Sequence, residues 1–357
     1  AAIKFLQSHF VSGYSKEEVI MQLLQKKIDR RQVVKAGLGM GALAMAGTSV
    51  LNPLYAADDM VVKGPSVPDV APVKISNHCY VIIAKDPEPT PENQGLFSNM
   101  GFIVTQKGVV VFDTGGSVQI GEMLIRQIKK VTDKPIIKIF NSHIHGDHWL
   151  GNHAFVQANP DIDIYAHENM HKAIKEGAGE FWVGLQERAT NNATAGTVVT
   201  PANQVLKGGE VFDLGDTLIR VHHYGKCHSD SDICVEVTAD KTVYAGDMLM
   251  VGRIANMDDG SYIGSIEGIK QLKQDTQADN YVQGHYKFGP KQADIYLEFL
   301  ETLYNGVLTY QKAGLSASDM KPKVVEDLKK FRDWVGFDAI IGRYIAIAYT
   351  EAEANSF

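Results

Sequence analysis

Cysteine is scarce. The chain of 357 residues has three, Cys79, Cys227 and Cys234. An odd set of three allows one bridge at most and leaves a thiol over, so a disulfide-stapled scaffold is excluded. The same scarcity argues against a Cys-rich structural zinc module, and the three thiols read as small buried apolar groups. Positive charge is also short. Lys and Arg number 35 against 42 Asp and Glu, a net charge of −7, which gives no electrostatic footprint for nucleic acid or an anionic membrane surface. No tandem repeat of about 20–50 residues is present, which removes solenoids and arrays. No Gly-x-Ser-x-Gly elbow occurs, so a serine nucleophile of that kind is absent. What remains is an ordinary globular composition, 45% hydrophobic and 22% charged, long enough for one large domain or two small ones.

Histidine is the residue that is there, 12 in all. Three of them and one aspartate fall within His143-Ile144-His145-Gly146-Asp147-His148. The stretch follows an apolar run, Ile136 to Phe140, that reads as a buried strand. A loop leaving a strand's carboxyl end can carry a site on a rigid scaffold. Imidazole and carboxylate are donors that Zn²⁺ and similar divalent cations take. On an extended loop alternate side chains point the same way. His143 and His145 are therefore expected to share one metal, and Asp147 and His148 to serve a second, about 3.5–4 Å away.

Ahead of this lie three kinds of segment. Residues 1–57 read as an export region. A helix is expected over Ser15 to Ile28, with Ser15 and Glu18 as a capping box. Then Arg30-Arg31-Gln32-Val33-Val34-Lys35 precedes a Gly/Ala-rich apolar stretch from Ala36 to Gly47. That pattern resembles a twin-arginine signal, with cleavage expected near Ala56-Ala57-Asp58 and a periplasmic, bacterial location. Four glycines make the stretch a poor core helix, and Gly and Ala make it a poor membrane span. From residue 58 a globular domain is expected to run to 290. Residues 58–75 read as extended, Asp86 to Gly95 as a Pro-rich loop, and Ile120 to Val131 as a helix. The segment from His171 to about Ala195 reads as helical, polar and Gly-bearing in places, part of an insertion over 171–205 that covers the site. Residues 291–357 read as a C-terminal helical extension.

The second half supplies further donors at strand ends. His228 follows Gly225-Lys226-Cys227. Asp247 follows Ala245-Gly246, and His285 follows Gln283-Gly284. Each stands after an apolar run and a glycine, the arrangement of a loop that brings one ligand to a shared rim.

With these residues in place the chain resembles the metallo-β-lactamase superfamily, over about residues 76 to 290. Asp113 in Val110-Val111-Phe112-Asp113-Thr114-Gly115 matches the first motif of that family, an aspartate that supports a ligand. The His143 to His148 cluster matches the second, and His228, Asp247 and His285 match the third to fifth. The resemblance implies an α/β fold, a four-layer αββα sandwich, here with C-terminal helices. It implies two Zn²⁺ (Fe or Mn are alternatives). One takes His143, His145 and His228, the other Asp147, His148 and His285, with Asp247 between them. It implies a bridging hydroxide as nucleophile, with Asp147 orienting it and carrying a proton. Asp247 stands where β-lactamases of the superfamily generally have no aspartate, and where thioester, phosphoester, sulfate-ester and lactone hydrolases do. The expectation is therefore an exported hydrolase of an ester, thioester or lactone bond in a small molecule. A β-lactamase and a mononuclear iron persulfide dioxygenase are the rivals.

Two patterns mislead. His167-Glu168-Asn169-Met170-His171 matches H-E-x-x-H, but His167 directly follows the β-like run Ile162 to Ala166 and is expected at a helix start, not inside one helix with His171. His222 and His223 compete with His228, but they lie in a strand pattern and face opposite sides. Tyr286, directly after His285, is expected either to pack or to donate a hydrogen bond to the substrate.

Overall fold

The computed structural model describes residues 62–355. Contacts divide the chain into Ala1–Met60 and Val61–Phe357, and the architecture below is that of the second unit. The twin-arginine stretch and the helix expected over Ser15 to Ile28 lie outside the described residues.

Two mixed sheets form the centre. The first has seven strands in sequential order: β1 (Val73–Lys74), β2 (Cys79–Ile82), β3 (Met100–Val104), β4 (Val109–Phe112), β5 (Ile136–Phe140), β6 (Asp163–His167) and β7 (Gln204–Leu206). Its first three pairings are antiparallel and its last three parallel. The second has six strands: β8 (Val211–Asp213), β9 (Leu218–His222), β10 (Cys234–Val237), β11 (Thr242–Gly246), β12 (Asn280–Gln283) and β13 (Phe288–Gly289). Its order is β13-β12-β11-β10-β9-β8, and only β11 and β12 pair in parallel. Central strands read as unbroken apolar runs, such as Val109-Val110-Val111-Phe112, because both faces are covered.

Three hydrophobic cores account for four layers. Val81, Ile103, Val110 and Phe140 of the first sheet meet Val221, Val235 and Val282 of the second. The outer face of the first sheet packs against α1 (Val118–Val131) and α3 (Asn152–Ala158) through Phe102, Val111, Leu124 and Phe155. The outer face of the second sheet is covered by α6 (Tyr262–Thr276), α7 (Gln292–Lys312), α8 (Ala317–Asp327) and α9 (Phe337–Ala354), where Ile269, Phe299, Leu303, Val324 and Ile345 are buried. This is the αββα sandwich with C-terminal helices that the sequence led us to expect. Tyr244 pins the sheets together. Its hydroxyl, on β11, donates to the carbonyls of Tyr80 (2.9 Å) and Phe102 (3.3 Å) across the interface. Residue 101 must be glycine for this, since a Cβ there would stand 2.2 Å from the Tyr244 ring. Cys79, Cys227 and Cys234 are all free and buried, as expected of apolar thiols. Among the described residues no helix is long and apolar enough to cross a membrane.

Some element boundaries differ from the sequence reading. Helix α6 begins at Tyr262, where Ser261 caps it by accepting from the Gly264 amide at 3.0 Å. From sequence this helix is expected only near Ile266 to Gln274; Gly264 and Gly268 hide its first turn from a propensity reading. The insertion is not one helix. It comprises α4 (Glu168–Ala173), a π-helical segment at Ile174–Ala178 kinked at Gly177 (φ 101°), and α5 (Gly179–Ala189).

Glu351 of α9 ties the C-terminal layer to the rest. Its carboxylate accepts from Ser261 Oγ (2.7 Å) and from the amides of Tyr262 (2.8 Å) and Ile263 (3.1 Å) at the start of α6. A charged acceptor at a helix N-terminus satisfies amides that have no partner within the helix. Replacing Glu351 by Ala is expected to lower the unfolding free energy by about 2 kcal/mol in urea titration. An unchanged midpoint would show that water replaces the carboxylate at no cost.

Candidate metal centre

Strand β5 ends at Phe140, and the next residues turn across the strand ends towards the second sheet. The chain bends at His143 and Ile144. His145 (φ −67°, ψ 131°) then starts a single helical turn, α2 (Gly146–Trp149). The expected extended loop is thus corrected: it bends at His143 and Ile144 and turns helical after His145. The helical turn, rather than strand alternation, separates Asp147 from His148, since each residue in a helix rotates by about 100°. Trp149 anchors the turn, its indole donating to the Ile144 carbonyl at 2.8 Å.

Two groups of donor atoms result. His143, His145, His228 and Asp247 form one, and Asp147, His148 and His285 the other, each with donor atoms within 4.8 Å of one another. All seven residues are buried. Asp247 reaches both groups: its Oδ1 lies 3.3 Å from His148 Nε2, and its Oδ2 lies 3.6 Å from His228 Nε2 and 3.2 Å from His285 Nε2. Asp147 Oδ2 stands 3.1 Å from His148 Nε2 and 3.5 Å from His285 Nε2. Asp247 follows Gly246 at the end of β11, and His285 follows Gly284 after β12. Gly284 is required, because a Cβ there would meet Asp247 Oδ1 at 1.9 Å.

Four of the five imidazoles, those of His143, His145, His148 and His285, are held by the far nitrogen, so the near one faces the cluster. His228 Nδ1 is buried without a hydrogen-bond partner. Asp113 Oδ2 lies 2.8 Å from His148 Nδ1 and accepts from Ser142 Oγ at 2.8 Å, while its Oδ1 accepts from the Ser142 amide at 2.7 Å. Asp113 adopts φ 61° to do so. Ser142 Oγ is in turn 2.9 Å from His143 Nδ1. His285 Nδ1 donates to the Phe97 carbonyl at 2.8 Å. His145 Nε2 is 3.2 Å from Asp259 Oδ2, which leaves its Nδ1 facing His228 Nε2 at 3.0 Å. The loop bearing His228 is folded on its own side chains: the Ser229 amide and hydroxyl donate to Asp232 at 2.7 and 3.0 Å. The Ile144 amide donates to Ser231 Oγ at 3.2 Å, tying that loop to the first.

Asp259, Ser142, Phe97 and the Ser229-Ser231-Asp232 turn were not singled out from sequence. Only the turn left a trace, a run of short polar side chains able to fold a loop on itself. The decoys lie elsewhere. His167 ends β6 and caps α4, and His171 donates to the Gln204 carbonyl at 3.1 Å. His222 pairs with Glu236 at 2.9 Å and His223 stacks on His167 at 3.9 Å. His153 faces Gln157 and the Val198 amide.

The electrostatics fit cations. Burial holds His143 well below the usual imidazole range and brings His228 down to about 3, so both offer lone pairs at neutral pH. Burial would raise Asp147 and Asp247, but the neighbouring imidazoles of His148 and His285 outweigh it and lower both. Burial would also lower His148, yet the carboxylates of Asp147, Asp247 and Asp113 push it well above its ordinary value. The buried Nε2 atoms of His143 and His148 and Oδ1 of Asp247 have no hydrogen-bond partner. Nitrogen and oxygen donors left unsatisfied at one point are what a divalent cation requires.

The two-sheet sandwich and the paired donor groups at its strand ends define a class, the metal-binding αββα sandwich. The comparisons place the chain within it. Residues 93–296 match the family model described as the metallo-beta-lactamase superfamily. The chain belongs to that superfamily and is by family a metal-dependent hydrolase. A linear primary-alkylsulfatase from Pseudomonas sp. (strain ATCC 19151) is 35% identical over 72 residues, 19% of this chain. That match spans 14% of the relative's length. The fold is similar to a metallo-beta-lactamase from Pontibacter korlensis, with TM-score 0.53, 18% identity, and coverage of 65% of this chain and 99% of the other. It is also similar to a double mutant of the sec-alkyl sulfatase PisA1, with TM-score 0.55, 16% identity, and coverage of 71% and 45% respectively.

Two outcomes follow. The carboxylates around His148 hold it well above the ordinary imidazole range, so a cation entering the metal-free site is expected to displace a proton from it. Zinc loading at pH 7 is therefore expected to release about one proton per chain, and zinc affinity to rise with pH until His148 is neutral in the free protein. Calorimetry in buffers of different ionisation enthalpy reads this directly, and no net release would refute it. Asp113→Asn leaves His148 held by a weaker partner. It is expected to weaken the second bound zinc by about 10–100-fold in a chelator competition, with the first affected less.

Proposed function

We propose that the chain is an exported binuclear zinc metallohydrolase that opens a carboxylic ester, thioester or lactone bond in a small molecule. Asp247 carries the reading. A single carboxylate lies within 3.6 Å of His228 and 3.3 Å of His148, one from each donor group. A site for one isolated cation has no use for such a residue. Two divalent cations held by the seven residues would supply water activated near neutral pH and polarise the scissile bond's oxygen.

The chain's own groups do the rest. Asp147, ionised and among the least enclosed of the donors, accepts a proton and passes it to the leaving group. Asp113, Ser142 and the Phe97 carbonyl fix ring orientations, so nothing must reorganise during reaction. Trp182 of α5 covers His145 with ring centroids 4.9 Å apart and shields that side from water. The export proposal rests on Arg30-Arg31 and the Gly/Ala-rich stretch after them.

A second reading, a sulfate ester as the scissile group, is favoured by the match to an alkylsulfatase. Neither reading needs a protein nucleophile. The test is metal content together with hydrolysis of a panel: a nitrophenyl acetate, an acyl thioester, a γ-lactone, an alkyl sulfate and nitrocefin. We expect about two zinc ions per natural chain and turnover of one of the first three. Asp247→Ser is expected to lose about one zinc and about a hundredfold or more in kcat/KM. Two zinc ions retained at full activity in Asp247→Ser would remove the bridging role. One iron, no zinc and no hydrolysis in the natural chain would remove the hydrolase reading.

A further inference from the structure

We infer that Arg253 and Tyr286 form a subsite for an oxyanion, a carboxylate or sulfate group carried by the substrate, beside the Asp147, His148 and His285 group. Calling that oxyanion a substrate group rests on the hydrolase reading above; the subsite itself does not.

Arg253 is 9% exposed. Its Nη1 is buried with no hydrogen-bond partner. Among the described residues its guanidinium makes no hydrogen bond and no ion pair with any carboxylate. A guanidinium does not lose its proton in a protein, so it cannot escape burial by becoming neutral. A buried charge without a partner is strongly unfavourable, and each such group in a native structure points to something that completes it. The other buried charges near the site have partners: Asp113 has Ser142 and His148, Asp232 has Ser229, and Glu236 has His222.

Tyr286 supplies the second observation. Its hydroxyl oxygen is also buried without a partner, although the residue as a whole is half-buried. It directly follows the donor His285 and stands at φ 61°, a conformation unusual for a bulky side chain. Asn99 fixes that backbone, its Nδ2 donating to the carbonyls of Tyr286 and Gln283 at 2.9 Å.

The two residues are held in one place. Gln283 joins their segments: its Oε1 accepts from the Val251 amide and its Nε2 donates to the Val251 carbonyl, both at 2.9 Å. Its Nε2 also donates to the His285 carbonyl at 2.5 Å. Arg253 is fixed on its other side, where its neighbours pair with the chain at Val335, through Ile254 N to Val335 O (2.9 Å) and Val335 N to Gly252 O (3.0 Å). Its charge acts on Tyr286, Tyr296 and Tyr344, and Asp247 acts on the last two. Ile254, the next residue, is buried in the core between the second sheet and the C-terminal helices, so Arg253 stands beside that layer. Asp86 and Glu88 of the Pro-rich loop act on Tyr286, but neither pairs with Arg253.

A guanidinium fork takes a carboxylate or sulfate through two parallel N–H donors, and the phenol adds a third. An anion held there sets which end of the substrate lies over Asp147, His148 and His285, and favours substrates that carry such a group over neutral ones with the same scissile bond.

The test is calorimetric titration of the zinc-loaded full chain with sodium sulfate and with sodium acetate, against sodium chloride at equal ionic strength. Zinc content is checked in every variant. We expect saturable binding of one oxyanion by the natural chain, about tenfold or more weaker in Arg253→Met and weakened in Tyr286→Phe, with no loss of melting temperature in Arg253→Met without anion. Tighter acetate assigns a carboxylate to the substrate, and tighter sulfate a sulfate group. A natural chain that binds neither, or Arg253→Met binding both as the natural chain does, overturns the subsite. If Arg253→Met does not fold, Arg253→Lys decides: folded with at least threefold weaker binding supports the subsite, and unchanged binding overturns it. Binding needs no turnover, so an inactive chain that still shows Arg253-dependent binding fails the hydrolase reading alone.

Discussion

Five imidazoles and three carboxylates are buried against one another at the strand ends, and the rest of the structure serves to keep them there. Such groups relax if they can. A carboxylate rotates to meet an imidazolium, and the site collapses into ion pairs. Here four of the five outward nitrogens are already committed, to Asp113, Ser142, Asp259 and the Phe97 carbonyl. The inward atoms are left within 4.8 Å of one another in two groups. The organisation is that of a site whose ligands are oriented by their neighbours before any ion arrives.

Close approach is the means. Gly284 lets Asp247 and His148 come together where any side chain would part them. Gly101 lets the Tyr244 ring lie flat between the sheets. The Ser229-Ser231-Asp232 turn replaces a longer loop with hydrogen bonds to its own side chains. Asp232 itself is raised to about 7 by burial, a cost that its hydrogen bonds to Ser229 offset only in part.

Much of this was legible in the sequence, for physical reasons. Ligand chemistry is carried by few residue types, so four donors in six residues, and three more after glycines at strand ends, stood out before any coordinates. The αββα arrangement was implied by the resemblance those donors carry to the metallo-β-lactamase superfamily, while apolar runs and helical spacings marked individual strands and helices. What was not legible depends on contacts between distant segments. Asp259 meets His145 from 114 residues away, and nothing local marks it among 42 acidic residues. Arg253 is one basic residue of 35 until its burial is known. The helical turn at Gly146–Trp149 was read as extended because a single turn is too short to leave a periodic pattern.

Tyr244 and the paired loops have a bearing on how the chain matures. His143, His145, Asp147 and His148 stand past a strand end of the first sheet, and His228, Asp247 and His285 past strand ends of the second. Neither half owns a site. The donors converge only when the two sheets close on their shared interior. That closure runs through contacts such as His145 to His228, 83 residues apart, and Tyr244 to Tyr80, 164 apart, and so is among the slower events of folding. A nascent chain exposes scattered histidines without a cage, and selective metal capture is deferred until the sandwich has shut. Acquisition of the ions then reports completion of folding.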